Sequence, residues 1–300
     1  MGEKSVVVLL STYNGEKYLK EQIDSVLNQK GVTVSLCVRD DGSTDNTLPI
    51  LEKYQNEEKI FLYKGQNIGY IKSFISLIRH APDADYYALC DQDDVWDENK
   101  LFIAVEKIQG NEVESLYCSN ARLVDEELRF ISNENKKPVV SLKSAIVKNF
   151  ATGCTIVFNK KLRERILVNE EIYISSHDSW LSRVCLAVGG NVYFDNEPHI
   201  SYRQHKNNCV GSNDSYKEIL KNRLMKLLKD KGHSRRKTAE HLLKYYGSLI
   251  DDDNKEFLFL VSDYYCNIRA KIKLIFASDI SCGNALDDIQ FKVAVLLNWV

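Results

Sequence analysis

The sequence predicts an α/β fold built on a mostly parallel central sheet flanked by helices. Short apolar runs alternate with segments of helical spacing from Val6 to Phe194. Strands that alternate with helices in this way favour a parallel sheet with right-handed crossovers. Acidic, turn-rich loops follow the first, second and fourth of the apolar runs. One run, Tyr86-Tyr87-Ala88-Leu89-Cys90, ends in three carboxylates, Asp91, Asp93 and Asp94, followed by Trp96.

Val6 to Leu10 is compact, apolar and β-branched, as a buried strand should be. Ser11-Thr12-Tyr13-Asn14-Gly15 breaks it. Lys17 to Gln29 places Leu19, Ile23, Val26 and Leu27 on one helical face. Val32 to Val38 is a second strand, and its exit loop runs Arg39-Asp40-Asp41-Gly42-Ser43-Thr44-Asp45. A helix from Asn46 to Tyr54 starts at an Asp/Asn cap. Ile60 to Tyr63 is a third strand, Gln66 to Gly69 a turn, and Ile71 to His80 a helix with Phe74, Leu77 and Ile78 inward. The run ending at Cys90 is the fourth strand.

Glu98 to Ile108 reads as a helix, Glu114 to Ser119 and Ala121 to Val124 as strand material, and Ile131 to Pro138 as a polar loop. Ser144 to Phe150 is a short helix or turn. Ala151 to Phe158 is a turn leading into a strand, and Leu162 to Leu167 is helical. Ser175 to Trp180 opens a helix that Gly189-Gly190 stops, and Asn191 to Phe194 is the last strand of the series. Past Ser212 the composition changes. Tyr216 to Lys231, Arg235 to Tyr246 and Phe257 to Phe276 read as amphipathic helices rich in Lys and Arg.

At 300 residues the chain is long enough to bury a sizeable core, and its 44% hydrophobic and 27% charged content is that of a globular protein. A net charge of −2 gives no global attraction to nucleic acid. The basic patch Lys229 to Lys237 lacks an accompanying nucleic-acid motif. Eight cysteines are scattered through the chain without Cys-x-x-Cys spacing, so a zinc site is not expected. Their place in apolar runs and the missing signal peptide suggest a reducing, cytoplasmic setting. The Val293 to Leu297 run is too short to span a bilayer.

The chemistry concentrates at the strand ends. In an extended chain Asp91 and Asp93 point the same way and would repel each other without a counter-ion. A hard divalent cation holding a substrate diphosphate resolves that conflict, and an acidic helix-capping turn is the plainer reading. Open α/β sheets bind ligands at this edge, where Thr12 to Asn14, Asp40, Asp41, Asp91 and Asp93 should converge. Gly-x-Gly-x-x-Gly and Gly-Lys-Ser/Thr loops are absent, which removes dinucleotide-binding and P-loop readings. A nucleotidyltransferase would also need a glycine-rich phosphate loop. Asp41 can accept the N–H of a pyrimidine base or serve as a turn residue before Gly42. Asp178 can activate an acceptor hydroxyl or simply complement a helix dipole. His177 supports that site or caps the helix. His205 can complete a metal shell, and Arg203 or Lys206 can meet a diphosphate. Trp96 and Trp180 flank carboxylates, and both packing and site-wall roles are expected of them.

These residues resemble the inverting family 2 glycosyltransferases of the glycosyltransferase A (GT-A) fold. The matching motifs are Ser11-Thr12-Tyr13-Asn14-Gly15, Asp40-Asp41-Gly42-Ser43-Thr44-Asp45, Asn67-Ile68-Gly69 and Asp91-Gln92-Asp93-Asp94-Val95-Trp96. They continue through Gly153-Cys154-Thr155, His177-Asp178-x-Trp180 and Tyr202-Arg203-Gln204-His205-x-Asn207-Asn208-x-x-Gly211. The Asp-Gln-Asp-Asp-x-Trp and Tyr-Arg-x-His forms are similar to a bacterial rhamnosyltransferase-like branch that often uses dTDP-L-rhamnose. Ser73 and Ser179 depart from that branch, which often has Asn and Trp there.

The basic amphipathic pattern of the helical region over 213–300 suggests that it either caps the sheet or lies on a membrane or partner. The resemblance covers roughly residues 4–212 and implies a GT-A catalytic domain over residues 1–212. It implies a nucleotide site of Thr12, Tyr13, Asn14, Asp41, Asn67, Gly69, Asp91 and Gln92. Asp91, Asp93 and His205 would hold Mn²⁺ or Mg²⁺, and Asp178 would be the catalytic base. Trp96, His177, Trp180 and Arg203 would border the donor or acceptor. The implied reaction moves a sugar, rhamnose foremost, from a nucleoside-diphosphate donor to a hydroxyl of a growing surface or capsular polysaccharide, with inversion. A polyprenyl-linked acceptor would place the protein peripherally on the inner membrane face. A UDP-hexose donor, or sugar-nucleotide or nucleic-acid binding without turnover, are the alternatives.

Overall fold

The computed structural model describes residues 3–167, 173–205 and 234–300. The predicted helix Tyr216 to Lys231, Lys206, the motif residues Asn207 to Gly211 and the boundary near residue 212 lie outside them.

The main sheet has seven strands in the order β10-β6-β9-β4-β1-β2-β3. β1 (Ser5–Thr12), β2 (Thr33–Asp40), β3 (Ile60–Lys64) and β4 (Tyr86–Cys90) form its parallel half. β6 (Ser115–Ser119) and β10 (Asn191–Asp195) pair in parallel at the far edge. β9 (Val157–Asn159) lies between β4 and β6, antiparallel to both.

Each central strand is apolar on both faces because both are covered. Val7 and Leu9 of β1 and Tyr87 and Leu89 of β4 enter one core, whereas Val6, Val8, Leu10, Tyr86, Ala88 and Cys90 enter the other. The second core is closed by α1 (Leu19–Leu27), α2 (Thr47–Asn56) and α4 (Lys100–Ile108). The first is closed by α3 (Tyr70–His80), α5 (Leu142–Val147), α6 (Lys160–Ile166) and α7 (His177–Ala187).

Among the described residues four more helices follow: α8 (Ser234–Tyr246), α9 (Asp252–Asp263), α10 (Ile268–Phe276) and α11 (Ala285–Leu296). Their buried residues join the first core, so the C-terminal helices share packing with the sheet. The helix expected from Phe257 to Phe276 is two helices. The Asn267 side chain accepts from the N–H groups of Arg269 and Ala270 and so starts α10 afresh.

A small second sheet runs β5-β11-β7-β8. It comprises β5 (Val95–Trp96), β11 (Ile200–Arg203), β7 (Arg122–Val124) and β8 (Phe130–Asn133). β8 occupies part of the segment expected as a polar loop. All four of its residues are exposed, so no buried face marks it in the sequence. β11 pairs antiparallel with β5, Ser201 opposite Val95 and Ile200 opposite Trp96. That register carries Arg203 and His205 back to the acidic loop after β4.

Candidate active site

β4, β1 and β2 are neighbours, with Leu10 beside Cys90 and Thr12 beside Asp40. Their exit loops therefore meet, as the sequence predicted. They border a cavity of about 510 Å³, which also takes residues from the start of α3, from the turn at Gly153–Thr155 and from the start of α7.

Gln92 ties the first loop to the acidic one. Its Oε1 accepts from Thr12 Oγ1 at 2.6 Å and from the Tyr13 N–H at 2.9 Å, and its Nε2 donates to the Tyr13 carbonyl at 3.3 Å. Asn14 stands at φ 50°, and its Oδ1 accepts from the Thr44 N–H at 2.8 Å, joining the first loop to the second. Gly42 has φ +81°, and a Cβ there would meet the Asn67 nitrogen at 3.0 Å, so glycine suits that turn. Asp41 is buried. Its carboxylate accepts from the N–H groups of Ile68 at 3.0 Å and Gly69 at 2.9 Å, and pairs with Arg39. One carboxylate thus shapes the Asn67–Gly69 turn and still borders the cavity.

Asp91 and Asp93 both border the cavity. Shielding from bulk water, then the charges of Asp93 and Asp178, push the Asp91 carboxyl up to about 7. Asp94 is fully buried. Its Oδ1 accepts from the Arg203 N–H at 3.1 Å, and its Oδ2 has no partner among the described residues. Ligand atoms of Asp91, Asp94 and Cys154 lie within 4.8 Å of one another. Burial holds the Cys154 thiol well above its usual range, and a thiol is a poor ligand for Mg²⁺ or Mn²⁺. His205 Nε2 lies 2.8 Å from Asp93 Oδ2. Carboxylates and one imidazole form a donor set that suits such a cation, and the crowding at Asp91 is what a cation would relieve.

Asp178 borders the same cavity and sits in the first turn of α7. Its Oδ1 accepts from the Ser179 N–H at 2.7 Å and from the Ser176 hydroxyl, and its Oδ2 accepts from Asn149 Nδ2 at 2.9 Å. His177 borders the cavity and stacks on Phe74, ring centres 4.2 Å apart. Burial lowers its pKa, and neither ring nitrogen has a hydrogen-bond partner among the described residues. Nothing assigns it a cap, because Ser176 occupies that position.

Three expected site residues lie elsewhere. Trp96 is buried in the second core under Lys100, whose Nζ is 3.5 Å above its ring. Trp180 is buried in the first core, its ring centre 6.2 Å from that of Tyr246. Both pack, and neither walls the cavity. Arg203 is buried too and does not line the cavity. Nε donates to the Asp93 carbonyl at 2.8 Å, Nη1 donates to the Glu126 carbonyl, and Nη2 pairs with Glu21 at 2.6 Å. Asn14 and His205 attach to the rim through their partners rather than lining the cavity. Tyr70, Thr152, Ser176 and Tyr202 line it without having been singled out. Asn149 and Arg39, which orient the two key carboxylates, were not foreseen either. They are 29 residues from Asp178 and in an ordinary strand position, and neither place carries a sequence signal.

An α/β sheet with an acidic cleft at its strand ends and helices appended is the GT-A architecture of sugar-nucleotide-dependent transferases. Solved structures share it. S. aureus TarS 1-349 in complex with UDP-GlcNAc superposes with a TM-score of 0.56 at 16% identity, covering 98% of this chain and 91% of that one. Mannosyltransferase PcManGT from Pyrobaculum calidifontis, in complex with GDP-Man and Mn2+, gives 0.54 at 16% identity, covering 100% and 82%. The Glycosyl transferase family 2 model matches residues 7–167. The dTDP-rhamnosyl transferase RfbG of Shigella flexneri is 31% identical over 225 residues, 69% of this chain and 75% of that protein. The chain belongs to glycosyl transferase family 2, and it is a glycosyltransferase that uses a nucleotide sugar.

Proposed function

We propose that the protein transfers rhamnose from dTDP-rhamnose to a hydroxyl of a growing surface or capsular polysaccharide, in one displacement that inverts the anomeric centre. The observation that carries this reading is one cavity bordered by Asp41, Asp91, Asp93 and Asp178. The similarity to a dTDP-rhamnosyl transferase supports the choice of sugar.

In this reading residues 1–212 are the catalytic domain and 213–300 a helical region. Asp41 accepts the imide N–H of the base with the lone pair left after Ile68, Gly69 and Arg39 are served. Thr12, Tyr13, Asn14, Asn67, Gly69 and Gln92 form the nucleotide wall. Asp91, Asp93 and His205 would hold Mn²⁺ or Mg²⁺, which when bound neutralises the departing diphosphate. Asp178 Oδ2, steadied by Asn149, takes the proton of the acceptor hydroxyl as that oxygen attacks the anomeric carbon. Burial lowers the His177 pKa, so its imidazole would hold an abstracted proton poorly, and this reading gives the role of base to Asp178. A polyprenyl-linked acceptor would bring the protein to the inner membrane face.

Thymine and uracil both present an imide N–H, so Asp41 does not separate dTDP from UDP donors. Calorimetric titration with dTDP-rhamnose and UDP-hexoses, with and without Mn²⁺ or Mg²⁺, makes that separation. Metal-dependent binding of dTDP-rhamnose alone is the expected result. Preference for a UDP-hexose moves the protein to another donor with the same mechanism. Folded protein that binds neither class overturns the donor assignment.

A further inference from the structure

Helix α11 is apolar on two opposite sides. Phe291, Ala294 and Val295 are buried against the protein, and Leu286, Ile289 and Val293 are exposed on the other side. At 100° per residue these three exposed positions fall within a narrow stripe. The neighbouring α10 does the same. Ala270 and Leu274 are buried, while Ile268, Ile272 and Phe276, one turn apart, are exposed, Phe276 to 79% and Ile268 to 67%. The two helices pack on each other. A surface helix of a globular protein keeps one apolar face and turns it inward. Two adjacent helices with a second apolar stripe each present a surface that the described residues leave uncovered, and such a surface marks a contact.

The charges that α10 itself carries have one sign, although its Lys273 pairs with the exposed Glu256 of α9 at 2.9 Å. α10 carries Arg269, Lys271 and Lys273 and no carboxylate. The two acids of α11 are turned away: Asp287 is buried and paired with Lys148, and Asp288 accepts from the Ser281 hydroxyl and the Cys282 N–H. Apolar stripes on helices whose own exposed charges are cations, with the nearby acids Glu256 and Asp279 each paired to a lysine, are complementary to an anionic lipid surface, where side chains such as Phe and Ile enter the acyl boundary and Lys and Arg meet the headgroups. We propose that the exposed face of α10 and α11 is the surface by which the protein sits on an anionic bilayer. This deepens, and rests on, the reading that the acceptor is membrane-linked.

Co-sedimentation of the full chain with vesicles of equal parts phosphatidylglycerol and phosphatidylethanolamine tests it, beside pure phosphatidylcholine vesicles. Wild type should pellet with the anionic vesicles and be released by high salt. The variant Ile272→Gln/Phe276→Gln/Ile289→Gln/Val293→Gln should bind at least tenfold more weakly while keeping the wild-type circular dichroism spectrum and donor affinity. Arg269→Glu/Lys273→Glu, which leaves the stripes intact, should weaken binding to anionic vesicles alone. Wild type that stays in the supernatant, or a fourfold variant that pellets equally well, overturns the proposal. So does a dimer of wild type that the variant abolishes without any vesicle binding, since the occupant is then a second copy. Donor affinity is read separately, so failure here leaves the transferase reading standing, and failure there leaves this surface standing.

Discussion

Arg203 Nε donates to the main-chain carbonyl of Asp93 at 2.8 Å, across a sequence separation of 110 residues. The same residue's N–H reaches Asp94 Oδ1 at 3.1 Å. One arginine thus grips the acidic loop at two consecutive residues, while Tyr18 stacks on its guanidinium at 4.4 Å and on His205 at 5.3 Å. The loop that carries Asp91 and Asp93 is held from beneath rather than free to adapt.

Replacing the fork should loosen that loop. Arg203→Lys keeps the charge but cannot serve the Asp93 carbonyl, the Glu126 carbonyl and Glu21 together. A loss of about 3 kcal/mol is expected, the scale of breaking a buried charged network, read by urea unfolding. Metal-dependent donor affinity should fall as well. A variant as stable as wild type with unchanged donor binding would show that Arg203 does not position the loop.

Asp178→Asn preserves shape and removes the proton acceptor. Transfer should drop by roughly 10²–10⁴-fold, the usual contribution of a general base, with donor affinity near that of wild type. Turnover assays and calorimetry on one preparation decide it. Wild-type-like turnover would reject Asp178 as the base.

Gly15→Ala tests the Gln92 clasp without touching an acid. A Cβ at Gly15 would lie 2.5 Å from Gln92 Oε1 and 2.8 Å from Thr12 Oγ1, so the amide must leave. Losing its three bonds to Thr12 and Tyr13, at about 1 kcal/mol each, should weaken donor binding by up to roughly a hundredfold. Gln92→Ala should give the same loss, and the double variant little more than either alone. Additive losses would mean that the two residues act independently.

Alkaline stability should depend on Cys118. Burial pushes its thiol up to about 12, whereas in an unfolded chain it ionises near ~8.5. The native protein therefore holds a proton that the unfolded chain releases. This contribution is whole below about pH 8.5 and is lost as pH rises toward the native value, by up to ~1.4 kcal/mol per pH unit. Cys118→Ala should flatten the fall in unfolding free energy between pH 9 and 11 by about that slope. An unchanged slope would place the titration elsewhere.

Much of the site could be read from the sequence because adjacency follows from alternation. Val6 to Leu10 and Tyr86 to Cys90 announce buried strands, and polar loops after neighbouring parallel strands must meet at one edge. The direction of β9 could not be read, since a three-residue strand carries no signal of its orientation. The fate of Trp96 and Trp180 was equally hidden, because an aromatic beside a carboxylate does not reveal whether core or cavity lies on its side. α11 escaped as a helix for another reason: its apolar residues occupy both faces, so no single stripe stands out. Arg203 was legible as a cation, but its partners come from the β5–β11 pairing, which is a long-range contact.

The placement of β9 also sets an order of assembly. Proteins emerge from the ribosome N-terminus first, and early segments can fold before later ones exist. By Cys90 the chain holds β1 to β4, which are mutual neighbours in the order β4-β1-β2-β3 and need nothing that follows to pair. β6 appears next and must wait, because β9 separates it from β4 and β10 is its other partner. The strand ends bearing Asp41 and Asp91 are therefore built first, and α7 with Asp178 later. A nascent chain halted between Ser119 and Val157 would carry Asp41 and Asp91 without Asp178.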